Sequence, residues 1–323
     1  MKIIGLMPVR NEAWVLPHSL ACLSGFCDVV LVSDQKSDDG SREICHRFPK
    51  VVVLESSEIG VCEQGRWQLL DAARGYDGYN ALWWNDADEL VSPGLAREFF
   101  DRHIDQLKPG TAVECLFYHL WGGIGRYRDD LSLYRPTWKP MAVVDDRQMD
   151  YDRSLTLPLH QPRVTVGGHG SLIRARELPV FHLQWLIANR NQMKQAWYRC
   201  RELLAGGTSA AEINYKYSIT LPAPRARTAE VPPEWVEDVT FPHLTIDREP
   251  SWQERDILGW FDQYGPGRFE PLEMWHIVPL RDEFYRRLGR RPKPDRSYLP
   301  SWPARAQQLA RRTISAARRR MAL

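Results

Sequence analysis

The sequence has no apolar run of the roughly 18–20 residues that a helix needs to cross a membrane. The best apolar stretch runs from Cys115 to Gly125 and contains His119. None of the six cysteines belongs to a C-x-x-C pair, which excludes zinc-ribbon and thioredoxin-like sites. Pro8 and Arg10 interrupt the first apolar segment too early for a signal peptide. We therefore expect reduced, mostly buried thiols in a cytoplasmic protein.

The sequence also lacks a G-x-G-x-x-G fingerprint, so a dinucleotide cofactor is not expected. The net charge is only +2, but it is unevenly distributed. Residues 281–323 contain 13 Lys and Arg against 3 Asp and Glu, which leaves the preceding part of the chain acidic. A nucleic-acid-binding protein needs a basic face on its body, so we expect no nucleic-acid partner.

The N-terminal part of the chain alternates between apolar runs and segments with helical spacing of apolar residues. The runs predict four strands, at residues 2–7, 29–32, 51–54 and 82–84. They are continuously apolar, as in strands that are covered on both faces of a sheet. The sequence therefore predicts an α/β fold, with a Rossmann-type, mostly parallel sheet flanked by helices.

Three carboxylates crowd the end of the fourth predicted strand. Ala81-Leu82-Trp83-Trp84 is followed directly by Asn85-Asp86-Ala87-Asp88-Glu89. Carboxylates this close repel one another unless a cation or a proton offsets their charge, and a hard divalent ion with oxygen ligands is the usual cation. Ligands of open α/β sheets bind beyond the carboxyl ends of the strands. The segment therefore predicts a metal site at a crevice of the sheet.

A second polar segment, from Ser33 to Ser41, follows the second predicted strand. Asp34 stands at the strand end, where an acidic side chain can accept hydrogen bonds from a nucleobase or a ribose. The same residue types also form ordinary Asp-rich turns that lead into a helix. The segment alone is compatible with both interpretations.

Three motifs in this order resemble the family-2 glycosyltransferases of the GT-A fold. They are Pro8-Val9-Arg10-Asn11-Glu12, D-x-x-S-x-D-G-S from Asp34 to Ser41, and D-A-D-E from Asp86 to Glu89. The resemblance is strong over residues 1–95, fainter over 110–200, and without motifs beyond. It implies a GT-A-like sheet and a hexosyltransferase-type enzyme. Such an enzyme moves a sugar from a nucleoside-diphosphate sugar to an acceptor hydroxyl, with a metal ion and with inversion.

The resemblance also implies roles for individual residues. Four of them would surround the base and ribose of the donor: Val9, Asn11, Glu12 and Asp34. Asp86 and Asp88 would bind Mn²⁺ or Mg²⁺, which holds the donor diphosphate, and His182 would complete the ligand set. His182 can equally be a buried core histidine. Arg66 is either a diphosphate contact or an exposed arginine of the helix predicted over 63–74.

An inverting transfer needs a base that takes the proton of the acceptor hydroxyl. Shorter members of the family carry a His-Glu pair upstream of the late histidine. The corresponding pair here reads His160-Gln161, and an amide cannot act as a base. The base candidates are therefore His160 and the carboxylates just upstream, each of which can also be an ordinary surface charge: Asp145, Asp146, Asp150 and Asp152.

An acceptor subsite is suggested by aromatic residues beside glycines, in Trp121-Gly122-Gly123, at Trp138 and in Gly167-Gly168-His169-Gly170. Sugars stack on aromatic rings and glycine loops form lids, although packed aromatics and simple turns share this composition. The acceptor would be a saccharide or a lipid-linked saccharide. The segment from Ala304 onward predicts a basic amphipathic helix that touches the inner face of a membrane, or a solvated tail.

We predict a nucleotide-sugar and acceptor-binding catalytic domain over 1–220, a helical extension over 221–291, and a linker with the basic helix over 292–323. Two other functions stay open. A sugar nucleotidyltransferase uses a similar sheet, but it would need a glycine-rich loop after the first strand, and residues 7–12 contain no glycine. A catalytically degenerate binding protein is compatible with Gln161.

Overall fold

The computed structural model describes residues 1–55, 62–130, 134–150, 170–218, 227–243 and 251–297, without the side chains of residues 62–64. The chain divides into two compact units. The first contains residues 1–186 and 227–243. Of the second, the structure describes residues 187–218 and 251–297.

All strands described here belong to the first unit. They are β1 (Ile3–Val9), β2 (Val29–Asp34), β3 (Val51–Glu55), β4 (Ala81–Trp84), β5 (Glu89–Val91), β6 (Ala112–His119), β7 (Arg126–Arg128), β8 (Thr137–Val144), β9 (Leu172–His182) and β10 (Thr228–Glu230). The helices of this unit are α1 (Leu16–Phe26), α2 (Ser41–Cys45), α3 (Cys62–Ala73) and α4 (Pro93–His103). β7 and β10 form a separate antiparallel ribbon.

Eight strands form one sheet in the order β3-β2-β1-β4-β8-β6-β9-β5. β1 is parallel to β2 and β4, β2 is parallel to β3, and β6 is parallel to β9. β8 is antiparallel to both of its neighbours, β4 and β6, and β5 is antiparallel to β9. The two reversals at β8 cancel, so β1, β2, β4, β6 and β9 all end at one edge, which we call the carboxyl edge. The sheet confirms the predicted α/β class.

Both faces of the sheet are covered over β1, β2 and β4, which explains why these strands are continuously apolar, whereas the edge strand β3 is partly exposed. Successive residues of β1 and β4 point to opposite faces. Met7 and Trp83 enter a core that also contains apolar residues of α1 and α4. Leu6 and Trp84 enter a second core with residues of α3. All four side chains are buried, and truncation of such a residue to alanine typically costs about 2–5 kcal/mol.

The second unit is helical and has a core of its own. Its helices are α5 (Ala188–Ala205), α6 (Ala210–Tyr217), α7 (Trp252–Tyr264) and α8 (Val278–Leu288). Apolar residues of all four helices share one cluster. Arg199 is buried there and donates to the backbone carbonyls of Gln195 and Tyr217, at 3.1 and 2.9 Å. Helices α5 and α6, which lie inside the predicted catalytic segment, therefore pack with the C-terminal helices, while the functions assigned to the segments stay predictions.

Several elements differ from the sequence expectation. Glu89–Val91 forms a strand because it pairs with β9, Glu89 opposite His182. Helix α6 was not expected, although Ser209 and Glu212 form a capping box at its start. The sequence also predicts a helix over 94–107 after the start signal at Pro93, and the observed helix α4 ends at His103. Across the described residues, no helix combines the length and the apolarity that a membrane crossing requires.

Candidate functional site

The carboxyl edge of the sheet gathers most of the polar residues that the sequence singles out. Val9 and Asp34 are paired at the ends of β1 and β2. β4 leads directly into the acidic loop, residues 85–89. His119 and His182 are paired at the ends of β6 and β9. Residues that are far apart in the sequence therefore meet along one edge, as ligand sites of α/β sheets do.

Hydrogen bonds from its own side chains hold the acidic loop in place. Asn85 Nδ2 donates to the carbonyls of Asp86 and Glu89, at 2.8 and 3.0 Å, and Asn85 Oδ1 accepts from Trp83 Nε1 at 3.2 Å. Glu89 Oε2 accepts the backbone N–H of Asp86 at 2.9 Å. One Glu89 carboxylate oxygen is thus committed to bracing the loop that carries Asp86 and Asp88.

Asp88 lies against the histidine pair. Its Oδ2 is 3.4 Å from His182 Nε2, and the other ring nitrogen of His182, Nδ1, is 3.0 Å from His119 Nδ1. Asp88 and His119 are buried. Burial holds the pKa of His119 well below its usual value, and the neighbouring His182 and Lys139 lower it further. His119 is therefore a neutral imidazole near neutral pH.

The donor atoms of Asp88 and His182 fit a divalent cation. Their separation of 3.4 Å suits two ligands of a single ion. Within the residues that the structure describes, no three His, Cys, Asp or Glu side chains converge into a ready-made metal cluster. Mg²⁺ is commonly held by one or two carboxylates together with substrate phosphates and water, and Mn²⁺ accepts imidazole more readily. The arrangement therefore suits a cation whose ligand set a diphosphate completes.

Helix α3 places a positively charged side chain, that of Arg66, beside the acidic loop. Arg66 Nη2 is 3.6 Å from Asp86 Oδ1, and the Arg66 side chain is mostly buried rather than exposed on the helix. The close approach of α3 depends on Gly65, since a Cβ there would lie 3.0 Å from Gln35 Nε2 and 3.1 Å from Ser33 Oγ. Arg66 thus lies beside the acidic loop, and its contact with a diphosphate stays a prediction.

The loops after β1 and β2 are tied to each other by backbone amides. The N–H groups of residues 11–13 donate at 2.9–3.0 Å to three side chains of the second loop, those of Ser37, Ser41 and Asp39. Asn11 takes a positive φ of 54°, a conformation that asparagine tolerates better than most residues. These amides are therefore occupied inside the protein.

The four predicted nucleotide residues lie together in this pair of loops. The Asn11 side chain and Asp38 exchange two hydrogen bonds of 2.8 Å, which gives Asn11 a role in holding the loops together. Glu12 Oε2 accepts from Trp14 Nε1 at 2.6 Å. The carbonyl of Val9 accepts the N–H of Gln35, while Asp34 is buried and its Oδ1 accepts the N–H of Ser37 at 3.3 Å.

The structure does not bring Asp145 or Asp146 to the acidic loop, which corrects their selection as base candidates. Both follow β8, whose antiparallel direction places them at the edge opposite to Asp86. Asp145 is buried and accepts two hydrogen bonds from Arg74, at 2.8 and 2.9 Å. Asp146 accepts backbone N–H groups of the following turn. Candidates Asp152 and His160 lie outside the described residues.

An aromatic cluster adjoins the histidine pair. The rings of Trp121 and Trp185 stack with centroids 4.8 Å apart, Tyr134 contacts Trp185 edge-on at 4.5 Å, and Arg128 lies over Trp121 at 4.3 Å. Tyr134 also touches His119, with centroids 5.4 Å apart. Trp121 is therefore near the histidine pair, but Trp185 and Arg128 already pack against its ring, so its role as an acceptor platform stays a prediction.

The other suggested acceptor residues are placed differently. Trp138 lies beneath Arg174 and Arg176 on the sheet. Gly170 packs against Gly110, which precedes β6 and therefore lies at the edge opposite to the site. Residues 167–169 lie outside the described residues.

Sequence reasoning assigned no role to His119. The sequence also predicts a strand over residues 111–119, and the available signal was the place of His119 at its end, where ligands of such sheets bind. What could not be foreseen is its partner, because the pairing of β6 with β9 joins residues 63 positions apart.

Comparisons with known proteins do not place the chain in a family. No family model and no curated protein matches the sequence. Among solved structures, S. aureus TarS 1–349 is similar at 13% identity over 68% of this chain and 71% of that chain, with a TM-score of 0.41. Its complex with UDP-GlcNAc is similar at 12% identity over 67% and 70%, with a TM-score of 0.38. S. aureus TarS in its longer form matches over 43% of its length and 68% of this chain, at 14% identity and a TM-score of 0.40. Similarity at this level does not identify a function.

Proposed function

We propose that the protein is a metal-dependent glycosyltransferase that moves a sugar from a nucleoside-diphosphate sugar to an acceptor hydroxyl. The observation that carries the proposal is the composition of the carboxyl edge. The buried acidic residue Asp34 lies at one part of this edge, and the candidate metal ligands Asp88 and His182 lie at another. One nucleotide would match both parts, with its base and ribose at Asp34 and its diphosphate at Asp88 and His182.

The residues of the site divide into three roles in this proposal. Asp34 would accept hydrogen bonds from the base or ribose, inside loops that the contacts between residues 11–13 and 37–41 hold in shape. Asp88 and His182 would hold Mn²⁺ or Mg²⁺. Asp86, which the sequence assigned to the same ion, lies 3.6 Å from Arg66 Nη2. Arg66 would contact the diphosphate, since its guanidinium lies at the acidic loop.

The transfer itself forms one bond and breaks one. The acceptor oxygen bonds to the anomeric carbon while the bond from that carbon to the diphosphate oxygen breaks, and the nucleoside diphosphate leaves with the electron pair. Asp88 and His182 would hold a divalent cation where it would stabilise the negative charge that the leaving group gains. Arg66 adds a second positive charge there. The hydroxyl proton passes to a base, for which Asp150, Asp152 and His160 remain the sequence candidates.

The nucleotidyltransferase alternative fits the loops less well. Such an enzyme cradles a triphosphate with backbone N–H groups of the loop after the first strand. Here the N–H groups of residues 11–13 already donate to side chains of the neighbouring loop. A triphosphate would have to displace these hydrogen bonds. The site therefore favours a donor whose phosphates are held by a cation and Arg66.

Other parts of the proposal rest on the sequence alone. Inversion at the anomeric carbon follows from the resemblance, as does a saccharide or lipid-linked saccharide as the acceptor. Peripheral contact with the inner face of a membrane follows from the basic segment after Ala304, which lies outside the described residues. Binding of the full chain to anionic vesicles, compared with a chain ending at residue 297, tests this contact.

The proposal is tested by nucleotide binding and turnover. The melting temperature of the protein is measured with UDP, GDP, CDP and dTDP and their sugars, with and without Mn²⁺, because a ligand of the native state raises stability. We expect one base to stabilise the protein, and only with the metal. Release of the nucleoside diphosphate from the matching sugar then reports transfer or hydrolysis.

Two variants separate the site from the rest of the surface. Asp88→Ala removes a metal donor, and we expect it to lose the Mn²⁺-dependent shift and the release of nucleotide. Asp101→Ala, at an exposed position of α4, is the matched control and should behave as the wild type. Undiminished activity of Asp88→Ala would refute the metal assignment. Donor binding without any turnover would favour the degenerate binding protein.

A further inference from the structure

We infer that His119 is a positioning residue that accepts a hydrogen bond from His182 Nδ1 and so directs the lone pair of His182 Nε2 toward the cation beside Asp88. The inference rests on the metal site of the proposed function. It assigns a task to a side chain that touches neither the proposed nucleotide nor the proposed cation.

The hydrogen-bond chemistry of two imidazoles carries the first step. The Nδ1 atoms of His119 and His182 are 3.0 Å apart, so one of them carries the hydrogen and the other offers a lone pair. A neutral His182 has a single N–H. If its Nε2 is to bind a cation, that N–H is at Nδ1, and His119 Nδ1 must accept it.

The second step concerns the alternative tautomer. His182 Nε2 lies 3.4 Å from Asp88 Oδ2, within reach of a weak N–H···O contact. Without a cation, His182 can therefore carry its hydrogen at Nε2, toward Asp88, and accept at Nδ1 from His119. With a cation, both rings exchange tautomers. His119 is compatible with both states, because its Nδ1 donates the hydrogen bond without the cation and accepts it with the cation.

The third step is the fixed geometry of His119. It is buried, with 7% of its surface exposed, so water is not an easy substitute for it. Its ring meets Phe117 edge-on with centroids 5.3 Å apart and Tyr134 with centroids 5.4 Å apart. Register pairing of the parallel strands β6 and β9 sets His119 beside His182. Outer partners of metal-bound histidines orient the ring in this way, and their loss typically costs about 10–100-fold in metal affinity.

Two substitutions of His119 separate the hydrogen bond from the packing. His119→Phe keeps an aromatic ring but removes the acceptor. His119→Asn keeps an acceptor close to the position of Nδ1. His46→Asn, at an exposed position, is the control for loss of a histidine. Circular dichroism verifies the fold of each variant.

The readout is metal binding, measured by titration of the full chain with Mn²⁺ in the presence of inorganic pyrophosphate. We expect His119→Phe to weaken Mn²⁺ binding at least about tenfold and to alter the coupling of imidazole nitrogen to Mn²⁺ in pulsed electron paramagnetic resonance. His119→Asn should retain most of the affinity, and His46→Asn all of it.

The outcomes distinguish the inference from the function on which it rests. Wild-type affinity in His119→Phe, when His182→Ala binds weakly, would overturn the inference and leave the metal site standing. A wild-type protein that binds no Mn²⁺ under any of these conditions would remove the metal site itself. If His119→Phe does not fold, ¹⁵N spectra of the wild-type histidines with Mg²⁺ decide. A hydrogen on His182 Nδ1 supports the inference, and a hydrogen on His182 Nε2 contradicts it.

Discussion

The substitution Asp145→Asn distinguishes a carboxylate of the fold from a catalytic base. Asp145 is buried, and Arg74 donates two hydrogen bonds to it at 2.8 and 2.9 Å. A third comes from the backbone N–H of Arg147 at 3.1 Å. Asparagine keeps one acceptor oxygen but loses the charge and one of the two contacts to the guanidinium. We therefore expect a large effect on stability and almost none on the reaction.

The magnitude follows from the burial of the pair. Breaking a fully buried ion pair costs about 3–5 kcal/mol, and a single charge-assisted hydrogen bond contributes about 1.5–3 kcal/mol. The Arg74 side chain is 20% exposed, so water solvates part of the charge that is left behind. We expect a loss of about 2–3 kcal/mol, which lowers the urea midpoint by about 1 M.

Two assays on the same preparation distinguish a structural from a catalytic role of Asp145. Urea unfolding measures the stability, and release of the nucleoside diphosphate under native conditions measures the turnover. Loss of a general base typically lowers the rate by about 10²–10⁴-fold, whereas a structural residue far from the reacting atoms changes it only slightly. A rate reduced by that amount at unchanged stability would refute the placement of Asp145 outside the chemistry.

A double-mutant cycle supplies the control. Arg74→Met leaves the Asp145 carboxylate buried without its partner, so this single variant should also be destabilised. In the combination Arg74→Met/Asp145→Asn neither charge remains. Because the two side chains contact each other, the combined loss should be smaller than the sum of the single losses. Additive losses would mean that the pair does not act as a unit.

Three further predictions concern the carboxyl edge. Asp34→Ala should weaken nucleoside-diphosphate binding by about 10–100-fold in calorimetric titration, because a hydrogen bond to a charged group contributes about 1.5–3 kcal/mol, while Mn²⁺ binding with pyrophosphate is retained. In Gly65→Ala the added Cβ would press on Gln35 and Ser33, at a cost of about 1–3 kcal/mol, while alanine gains about 1 kcal/mol over glycine inside a helix. We expect the steric cost to exceed the gain and the urea midpoint to fall. Lowering the pH below about 6.5 should lower the stability, because burial holds the pKa of His119 below its unfolded value and the unfolded chain takes up the proton first. His119→Asn should flatten that dependence in urea unfolding at pH 5.5, 6.5 and 7.5.

Each of these predictions has a clear contrary result. Equal loss of nucleotide and metal binding in Asp34→Ala would mean that the loops collapse rather than lose one contact. A Gly65→Ala protein as stable as the wild type would show that α3 can move away from the strand ends. A stability profile that keeps its slope in His119→Asn would assign the acid sensitivity to another group.

Local sequence signals were sufficient to place Asp34 and the acidic loop at one edge of the sheet. The apolar runs that became β1, β2, β3 and β4 are continuous, so their period and length could be read directly. The residues that follow each strand had to meet at the carboxyl edge once the strands were parallel. Asp34 and the acidic loop were therefore found without knowledge of any distant contact.

Non-local pairing decided what the sequence did not reveal. The direction of β8 depends on its pairing with β4 and β6, and this direction alone moves Asp145 to the opposite edge. His119 gained its partner only through the pairing of β6 with β9. Helix α6 is a different case, since the spacing of Ser209 and Glu212 was a local start signal.

The reversed direction of β8 also brings both ends of the connection between β6 and β8 to the carboxyl edge. The chain leaves the sheet at His119 and re-enters it at Thr137, both beside the histidine pair. Among the described residues of this connection, Trp121, Arg128 and Tyr134 pack together beside His119. The described residues of this connection pair with none of β1, β2 and β4, so substitutions in it should leave the register of the strands that carry Asp34 and the acidic loop unchanged.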